Sequence, residues 1–338
     1  MKKALIGTCS AICMFAFILD GKTAIYGAQE GITLCLQSVI PALFPFLILS
    51  NILCQSIMGN EFTILRPLGR LAGIPQGAES LMLLGFLGGY PVGAQNIHYA
   101  VNTGAIDRKT AQRMLGFCNN AGPAFIFGMA AGLFSSPYAS WALWLTHMIS
   151  AILVAIVLPN RMETVCTIPK TTNDSVLTIF QNSIRIMGNI CGWVVIFRII
   201  IAFFKRWFLW LLPMEMQVFI SGLLELTNGI FLLTSIPVEG LRFVMCAAML
   251  SLGGLCVAMQ TIFVTGSLGC GYYFPGKLLQ GVFSFILALL LQPLLFKRSD
   301  IFMFNEFGWV VILLVPSILL ILLHRLKNNS RNLAPSLI

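Results

Sequence analysis

Long apolar runs separated by short polar connections make up most of the chain. Runs of about 20 apolar residues, the length that crosses the hydrocarbon core of a bilayer as a helix, recur from one end of the sequence to the other. They lie at roughly 4–19, 31–58, 81–103, 112–133, 138–158, 176–204, 215–236, 243–265, 278–296 and 308–324. The pattern predicts an all-α, polytopic membrane protein.

Glycine and proline interrupt one of these runs near its centre. The interruption reads GFLGGYPVGAQNI, residues 85–97, and a shorter one, ELTNG, lies within run 215–236. Non-helical backbone at membrane depth occurs only where it is buried in protein or lines a water-filled cavity. We therefore predict that runs 81–103 and 215–236 each turn back as a re-entrant or broken helix.

The distribution of Lys and Arg favours this topology. If every run crossed the membrane, the positive charges would be shared almost evenly between the two sides. Two hairpins place most of them on the side of the N-terminus, as expected because cytoplasmic loops are enriched in Lys and Arg. In this arrangement Lys277 counts as a cytoplasmic loop residue. The prediction is about eight spanning helices plus two re-entrant or broken helices in the cell membrane, with both termini cytoplasmic.

The two halves of the chain resemble each other weakly. QSVIPALFPFLILSNIL at 37–53 aligns with QNSIRIMGNICGWVVIF at 181–197, and MLGFCNNAGPAFIFG at 114–128 aligns with MLSLGGLCVAMQTIF at 249–263. With the hairpin topology the first unit begins outside and the second inside, so the repeats are inverted, as is typical of secondary transporters. The predicted organisation is an N-terminal helix at 1–30, a first repeat at 31–160, a second repeat at 176–296, and a C-terminal helix with a basic tail at 300–338.

Residues around the interruptions are the candidates for a binding site. Broken helices present free N–H groups and free carbonyls at mid-membrane, and the side chains beside them carry mostly amides and hydroxyls, which suit a neutral, hydrogen-bonding solute. The predicted substrate-binding residues are Gly89, Tyr90, Pro91, Gly93, Asn96, Asn119, Asn120, Gly122, Pro123, Thr227 and Asn228. The alternative is that the glycines only permit close helix packing, as small residues do in membranes.

Glu225 is the acid that lies deep within an apolar run. An ionisable group in that position is energetically expensive and indicates function, so we predict that Glu225 binds a coupling proton or cation. The alternative is a structural ion pair with Arg185 or Arg198 of the preceding span. His147 lies near the end of its run and is predicted to be interfacial.

Several classes of protein are disfavoured by composition. Only 10% of the residues are charged, whereas a soluble protein has about 25%. The net charge of +9 is explained by cytoplasmic loops and does not indicate a nucleic-acid partner. The ten cysteines form no CxxC pair and there are three histidines, so we predict neither a metal site nor a cofactor. No H-E-x-x-H motif occurs, and we predict that the protein is not an enzyme and has no catalytic residue.

The order IPALFPFLILSNIL, LGFLGGYPVGAQNI, FCNNAGPAFIFG resembles the Gate, or nucleoside-recognition, membrane family. That family shares its name with domains of nucleoside transporters and of FeoB-type ferrous-iron transporters. Within it, the patterns P-x-L-x-P-F, G-G-Y-P-x-G and N-x-x-G-P-x-F are similar to sporulation integral membrane proteins of the YlbJ type. The motif positions matched here are Pro41, Pro45, Gly89, Pro91, Gly93, Asn119, Gly122 and Pro123.

The resemblance implies two inverted Gate-like repeats, an endospore-forming Gram-positive source and a role in spore cortex formation. We expect a transporter of a small polar solute, with nucleoside-like solutes among the candidates. The alternative is a non-transporting sporulation membrane scaffold or assembly protein. The expected partners are the unidentified solute, the lipid bilayer and, where the chain assembles, further copies of itself as a homo-oligomer.

Overall fold

The computed structural model describes residues 2–159, 166, 168–169, 175–297 and 302. Within these ranges the chain is helical and contains no strand, which confirms the all-α prediction. The predicted C-terminal helix and basic tail at 300–338 fall outside the described residues, apart from Phe302.

Fifteen α-helices follow one another along the described chain. They are α1 Lys2–Leu19, α2 Gly21–Leu34, α3 Ile40–Ile57, α4 Arg66–Leu71, α5 Glu79–Leu87, α6 Val92–Asn102, α7 Arg108–Leu115, α8 Pro123–Phe125, α9 Ala139–Val157, α10 Val176–Trp207, α11 Met214–Leu224, α12 Leu226–Leu232, α13 Glu239–Leu252, α14 Gly254–Thr265 and α15 Tyr273–Leu295. A π-helical turn, Cys35–Val39, joins α2 to α3, and α8 continues through a π-helical turn and a 3₁₀ turn to Leu133.

Five helical segments of the described chain are long and apolar enough to cross a membrane. They are Gly21–Ile57, Ala139–Val157, Val176–Trp207, Glu239–Leu268 and Tyr273–Leu295. Runs 81–103, 112–133 and 215–236 are built from shorter helices, and run 308–324 falls outside the described residues. The total of about eight spans therefore stays a prediction.

Helices α5 and α6 form a helical hairpin, called hairpin 1 below. They contain 9 and 11 residues, so each is at most about 17 Å long, roughly half the thickness of a bilayer core. A Cβ on Gly93 would lie 3.2 Å from Cα of Gly85, whereas residues eight apart in a continuous helix are separated by about 12 Å. The chain therefore folds back at GGYPVG.

Helices α11 and α12 form hairpin 2 in the same way. They contain 11 and 7 residues and meet at a break centred on Glu225. A Cβ on Gly222 would lie 3.3 Å from Cα of Gly229, so two residues seven apart in sequence touch. Each hairpin thus has a glycine pair where its two helices cross, which lets the backbones approach closely.

Two further helices are interrupted rather than folded back. Helix α7 ends at Leu115, and α8 begins at Pro123 after a non-helical stretch. Helix α13 ends at Leu252, and α14 begins at Gly254 after Gly253 at φ 77°. Together with the two hairpin tips, these interruptions give the chain four helix breaks.

The buried apolar residues form two separate cores. Hairpin 1, α7 and α14 contribute to the first core, whereas hairpin 2, the α8 segment and α13 contribute to the second. The chain passes between the cores at a break, since Cys118 belongs to the first core and Ala121 to the second. Likewise Leu250 lies in the second core and Cys256 in the first. The seam between the cores therefore lies at the level of the helix breaks.

The two longest helical segments pack against each other. A Cβ on Gly27 of α2 would lie 2.9 Å from Cα of Ile199 on α10, and a Cβ on Gly31 would lie 2.9 Å from Cα of Val195. Such backbone-to-backbone contact through small residues is the usual way in which membrane helices associate. Helices α2, α3 and α10 thus form a closely packed group, and α3 and α10 also contribute buried residues to the first core.

Candidate functional site

All four helix breaks meet around one small cavity at the seam, called the central cavity below. Helices α3 and α10 complete its wall, and its volume is about 60 Å³. The residues that line it at or beside the breaks are Gly88, Gly89, Tyr90, Gly122, Ala124, Phe125, Glu225, Leu226, Thr227, Cys256 and Val257, and Gln260 lines it from the middle of α14. Of the predicted substrate-binding residues, Gly89, Tyr90, Gly122 and Thr227 lie here, together with the predicted coupling residue Glu225.

Gly89 and Gly122 bring the first and second breaks into contact. A Cβ on Gly122 would lie 2.9 Å from Cα of Gly89, and one on Gly89 would lie 3.1 Å from Cα of Gly122. Gly89 has φ 74°, a conformation that residues with a side chain rarely adopt. Hairpin 1 and the start of α8 therefore approach each other as closely as two backbones can.

Tyr90 links the first break to the fourth. Its hydroxyl donates a hydrogen bond to the carbonyl oxygen of Leu250, at 3.0 Å. A Cβ on Gly253 would lie 3.2 Å from the same hydroxyl oxygen. The peptide bond that follows Tyr90 is cis, and Pro91 faces the neighbouring cavity on the hairpin 1 side. Tyr90 of the first predicted repeat thus contacts the fourth break, which belongs to the second predicted repeat.

Glu225 caps helix α12. One carboxylate oxygen accepts the backbone N–H of Thr227 at 2.9 Å, and the other accepts that of Asn228 at 2.5 Å. A carboxylate at the N-terminus of a helix satisfies free N–H groups and interacts favourably with the helix dipole. This explains how a carboxylate that is only 2% exposed is accommodated at the edge of the central cavity.

Arg198 forms an ion pair, but its partner is not the predicted Glu225. Arg198 pairs with Glu30 of α2 and also donates to the side-chain oxygen of Asn228. The reason is that α10 packs directly on α2, where Arg198 lies beside Gly31, so its guanidinium reaches Glu30. Arg185 is exposed and forms no ion pair with another described residue.

The other predicted binding residues do not line the central cavity. Asn96 donates to the sulfur of Cys54 at 3.3 Å, and Asn119 donates to the hydroxyl of Thr261 at 2.8 Å. Gly93 packs on the Cys118 carbonyl. Asn120 and Asn228 are each at most 1% exposed, and Pro123 is the first residue of α8. These residues hold the breaks in place.

A buried polar cluster adjoins the central cavity behind Tyr90. The Lys277 ammonium donates to the side-chain oxygens of Gln280, at 2.8 Å, and of Asn120, at 3.2 Å. The Gln280 amide also donates to Asn120, at 2.9 Å. Lys277 lies 5.4 Å from the ring centroid of Tyr90. The placement of Lys277 in a cytoplasmic loop was therefore wrong: it lies within α15 and is 3% exposed.

His147 extends this cluster to the fourth break. Its Nε2 accepts the backbone N–H of Ala121 at 3.0 Å, and its Nδ1 lies 2.9 Å from the hydroxyl of Ser251. Because a backbone N–H can only donate, Nε2 carries no proton, so the imidazole is neutral with its proton on Nδ1. The prediction that His147 is interfacial was wrong, since it lies in the middle of α9 and is 1% exposed.

Sequence reasoning missed Lys277, Gln280 and His147, although a signal for them exists. Each lies within or at the edge of an apolar run, where a polar or ionisable residue indicates function. By hydropathy the last described apolar run begins at residue 278, so Lys277 was assigned to the loop before it. The helix actually begins at Tyr273, because helix ends are set by backbone hydrogen bonds and not by apolar character alone.

Larger cavities flank the central cavity on both sides. Two of them, of about 380 and 340 Å³, lie between α6 and α10 and share Gln95, Tyr99 and Arg185; they are called the inner vestibule below. A third, of about 510 Å³, is lined by the start of α3, the end of the α8 segment and α12; it is called the outer vestibule.

The order of the three cavities follows from their positions along α3. The outer vestibule contacts residues 37–42, the central cavity residues 43–47, and the inner vestibule residues 51–58. From Ser38 to Gln55 the helix rises about 25 Å, close to the thickness of a bilayer core of about 30 Å. The central cavity therefore lies between two polar openings.

Among the described residues, no three His, Cys, Asp or Glu side chains come together as a metal site.

Comparison with known proteins identifies a membrane-protein relative. The chain is 24% identical, over 318 aligned positions, to the sporulation integral membrane protein YlbJ of Bacillus subtilis (strain 168), and the match covers 79% of this chain and 77% of the relative. No family model matches the chain, so membership of the Gate family stays a prediction. No solved structure matches it. The protein is therefore a membrane protein related to a sporulation integral membrane protein.

Proposed function

We propose that the protein transports a small polar solute across the cell membrane by alternating access at the seam between its two cores. The observation that supports this proposal is the convergence of four helix breaks on one cavity, with a polar vestibule on each side. In secondary transporters, broken helices meet in this way at the substrate site near the bilayer midplane. A purely structural role for the glycines would not require two vestibules in line with their meeting point.

Two inverted Gate-like repeats are part of this proposal. Both halves have the order long helix, short hairpin, broken helix and single helix. Arg113 bonds to the carbonyls of Ala72, Gly73, Ala155 and Pro159, so the entrance to hairpin 1 and the end of α9 lie at one end of the molecule. Ser135 forms hydrogen bonds with Glu239, and the ring of Phe134 contacts that of Phe296. These contacts support a position of the hairpin 2 connections at the opposite end of the molecule.

The size of the central cavity supports an occluded state. Its volume of about 60 Å³ has room for no more than a few water molecules, whereas sites for drug-sized ligands have about 300–1,000 Å³. A solute as large as a nucleoside therefore requires the breaks to separate. The hydroxyls of Tyr90 and Thr227 and the amide of Gln260 suit a solute that forms hydrogen bonds.

Transport is tested by uptake into liposomes that contain the purified protein, using radiolabelled nucleosides, sugars and neutral amino acids as probes. Val257→Phe places a ring in the central cavity, where Val257 is 7% exposed, and we expect it to abolish uptake. Leu255→Phe is the matched control, because Leu255 on the same helix is 46% exposed and faces away from the cavity. Equal uptake by the two variants would contradict a pathway through the central cavity.

The physiological proposal is a role in sporulation and spore cortex formation. It is supported by the name of the Bacillus subtilis relative and by the motif resemblance. Deletion of the gene in a spore-forming host should reduce the yield of heat-resistant spores, and the Leu255→Phe protein should restore it. If Val257→Phe restores it equally while no probe enters liposomes, the alternative of a non-transporting sporulation scaffold is favoured.

A further inference from the structure

Lys277 is a buried cation surrounded by neutral groups. Its described neighbours within bonding distance are the side-chain oxygens of Asn120 and Gln280, at 3.2 and 2.8 Å, and the face of the Tyr90 ring. No carboxylate of the described chain lies within ion-pair distance of it. A buried charge without a counter-ion is costly, so the ammonium depends on these three groups.

The geometry around Lys277 matches that of a bound monovalent cation. Two amide oxygens point at the nitrogen, and the electron-rich face of an aromatic ring covers it at 5.4 Å from the ring centroid. A neutral amine satisfies the two oxygens with its two N–H groups, but its lone pair is then left to face the ring. The third N–H of an ammonium is attracted to that face, but this contact offsets only part of the cost of removing an unpaired charge from water, so the closed arrangement favours the neutral amine.

Two of the three groups that stabilise the ammonium belong to helix breaks. Tyr90 lies in the first break and Asn120 in the second, whereas Gln280 lies on α15 beside Lys277 itself. When the breaks separate, the ammonium loses Tyr90 and Asn120 together. Water that enters between the separated breaks hydrates the charge and favours the ammonium, so by reciprocity a protonated Lys277 favours the open breaks and a neutral Lys277 the closed ones.

We propose that Lys277 is the proton-binding group that couples loss of its proton to closure of the central cavity. The step is a reversible proton transfer: the N–H bond of the ammonium breaks, the electron pair stays on nitrogen, and the proton passes to water of the open seam before the seam closes. The role of Lys277 as a coupling site rests on the proposed transport function. In that role the coupling ion is a proton, and Lys277 carries it.

Other titratable side chains face Lys277 from the elements packed against it. They are Tyr90 of the first break, Cys118 of the segment before α8, and His147 of α9. His147 is held neutral by the N–H of Ala121, so it cannot take up the proton without losing that bond. Arg113, the other buried cation of this region, is bonded to four backbone carbonyls and lies 5.2 Å from the ring centroid of Phe117, so backbone oxygens already satisfy its charge.

Native Cys256 provides the reporter for the test. It lines the central cavity and is 1% exposed, so its reaction with a membrane-impermeant maleimide measures opening of the seam. The experiment uses the full chain in liposomes, with Cys256 as its single cysteine, and needs no solute. Rates are measured between pH 6 and pH 9 and divided by those of a separate protein whose single cysteine is Asn60→Cys, a partly exposed position just after α3.

The parent protein should label about threefold faster at pH 6 than at pH 9 after this correction. Lys277→Met should label slowly at every pH, because it carries no charge. Lys277→Arg should label fast at every pH, because guanidinium stays charged. Lys205→Met, on the distant end of α10, should follow the parent. The proposal is overturned if Lys277→Met keeps the pH dependence of the parent, or if the Met and Arg variants behave alike.

A second variant keeps the proposal falsifiable where Lys277→Met does not fold. Tyr90→Leu removes the ring and keeps Lys277, so the pH of half-maximal labelling should move about one unit toward acid. An unmoved midpoint overturns the proposal. The two proposals fail separately: pH-dependent opening through Lys277 without uptake of any probe contradicts transport only, whereas uptake with pH-independent labelling contradicts Lys277 only.

Discussion

Single residues at the seam decide how closely the four breaks approach. Gly89 and Gly122 touch through their backbones, Tyr90 reaches across to Leu250, and Glu225 caps the helix that begins beside it. The first two contacts each join one break to another, and the third caps the helix that follows a break. A change of a few atoms at these positions therefore acts on the whole seam.

Gly122→Ala should destabilise the protein. The added methyl carbon would lie 2.9 Å from Cα of Gly89, and because the neighbour is backbone it must shift. Overpacking of this kind costs about 1–3 kcal/mol. Thermal unfolding in detergent measures the effect, and Gly132→Ala is the control because a Cβ there meets nothing within 4 Å. Equal melting temperatures for the two variants would contradict close contact between the first two breaks.

Glu225→Gln should separate the two roles of this side chain. The amide keeps one oxygen but its NH₂ cannot accept a backbone N–H, so one of the two caps on α12 is lost, at about 1 kcal/mol. If Glu225 also binds a coupling ion, uptake should lose its ion dependence while the protein still folds. The matched control is Glu215→Gln, an exposed acid in the first turn of α11. Unchanged ion dependence together with a lowered melting temperature would leave Glu225 as a cap only.

The two hairpins are the elements that distinguish this fold from a simple bundle. Each consists of two helices too short to cross a bilayer, and each is joined at a glycine pair. Their breaks could be predicted from sequence because Gly, Pro and Asn within an apolar run interrupt a helix locally. The partners of those breaks could not, because Lys277 and Asn120 are 157 residues apart in the chain and no local pattern links them.

Cysteine accessibility tests the topology of both hairpins. Asn60→Cys and Thr103→Cys flank hairpin 1 and should react with an impermeant maleimide from the same, cytoplasmic side of the membrane. Met214→Cys and Ser235→Cys flank hairpin 2 and should react from the other side. The four native residues are at least partly exposed, so the introduced thiols are accessible. Labelling of Asn60→Cys and Thr103→Cys from opposite sides would mean that run 81–103 crosses, and the inverted repeats would be lost.

At the scale of the whole molecule, two apolar cores meet at a polar seam. The sequence predicted the helical class and the breaks, because apolar run length and Gly/Pro content are local properties. It did not predict the seam, which arises when the chain exchanges cores at Asn119–Asn120 and again at Gly253. Which core a half-helix joins depends on packing between distant segments, such as α6 with α14.

If the protein works by the proposed alternating access, the close packing of α2 with α10 predicts which parts move. Gly27 and Gly31 place the two backbones in contact, so the long helices should move as one body. Hairpin 1 is joined to α3 through a single described side-chain hydrogen bond, from Asn96 to Cys54. We therefore expect the hairpins and broken helices to move against a fixed group of long helices.

Two reversible cross-links distinguish this motion from rocking of one whole repeat against the other. Asn96→Cys, with native Cys54, should form a disulfide that fixes hairpin 1 to α3, since the native side chains lie 3.3 Å apart. Oxidation should stop uptake, and a reductant should restore it. Asn51→Cys with Ser183→Cys, whose native side chains lie 3.0 Å apart, links α3 to α10 and should leave uptake unchanged. The reverse result, with only the α3–α10 link inhibiting, would show that each repeat moves as a unit.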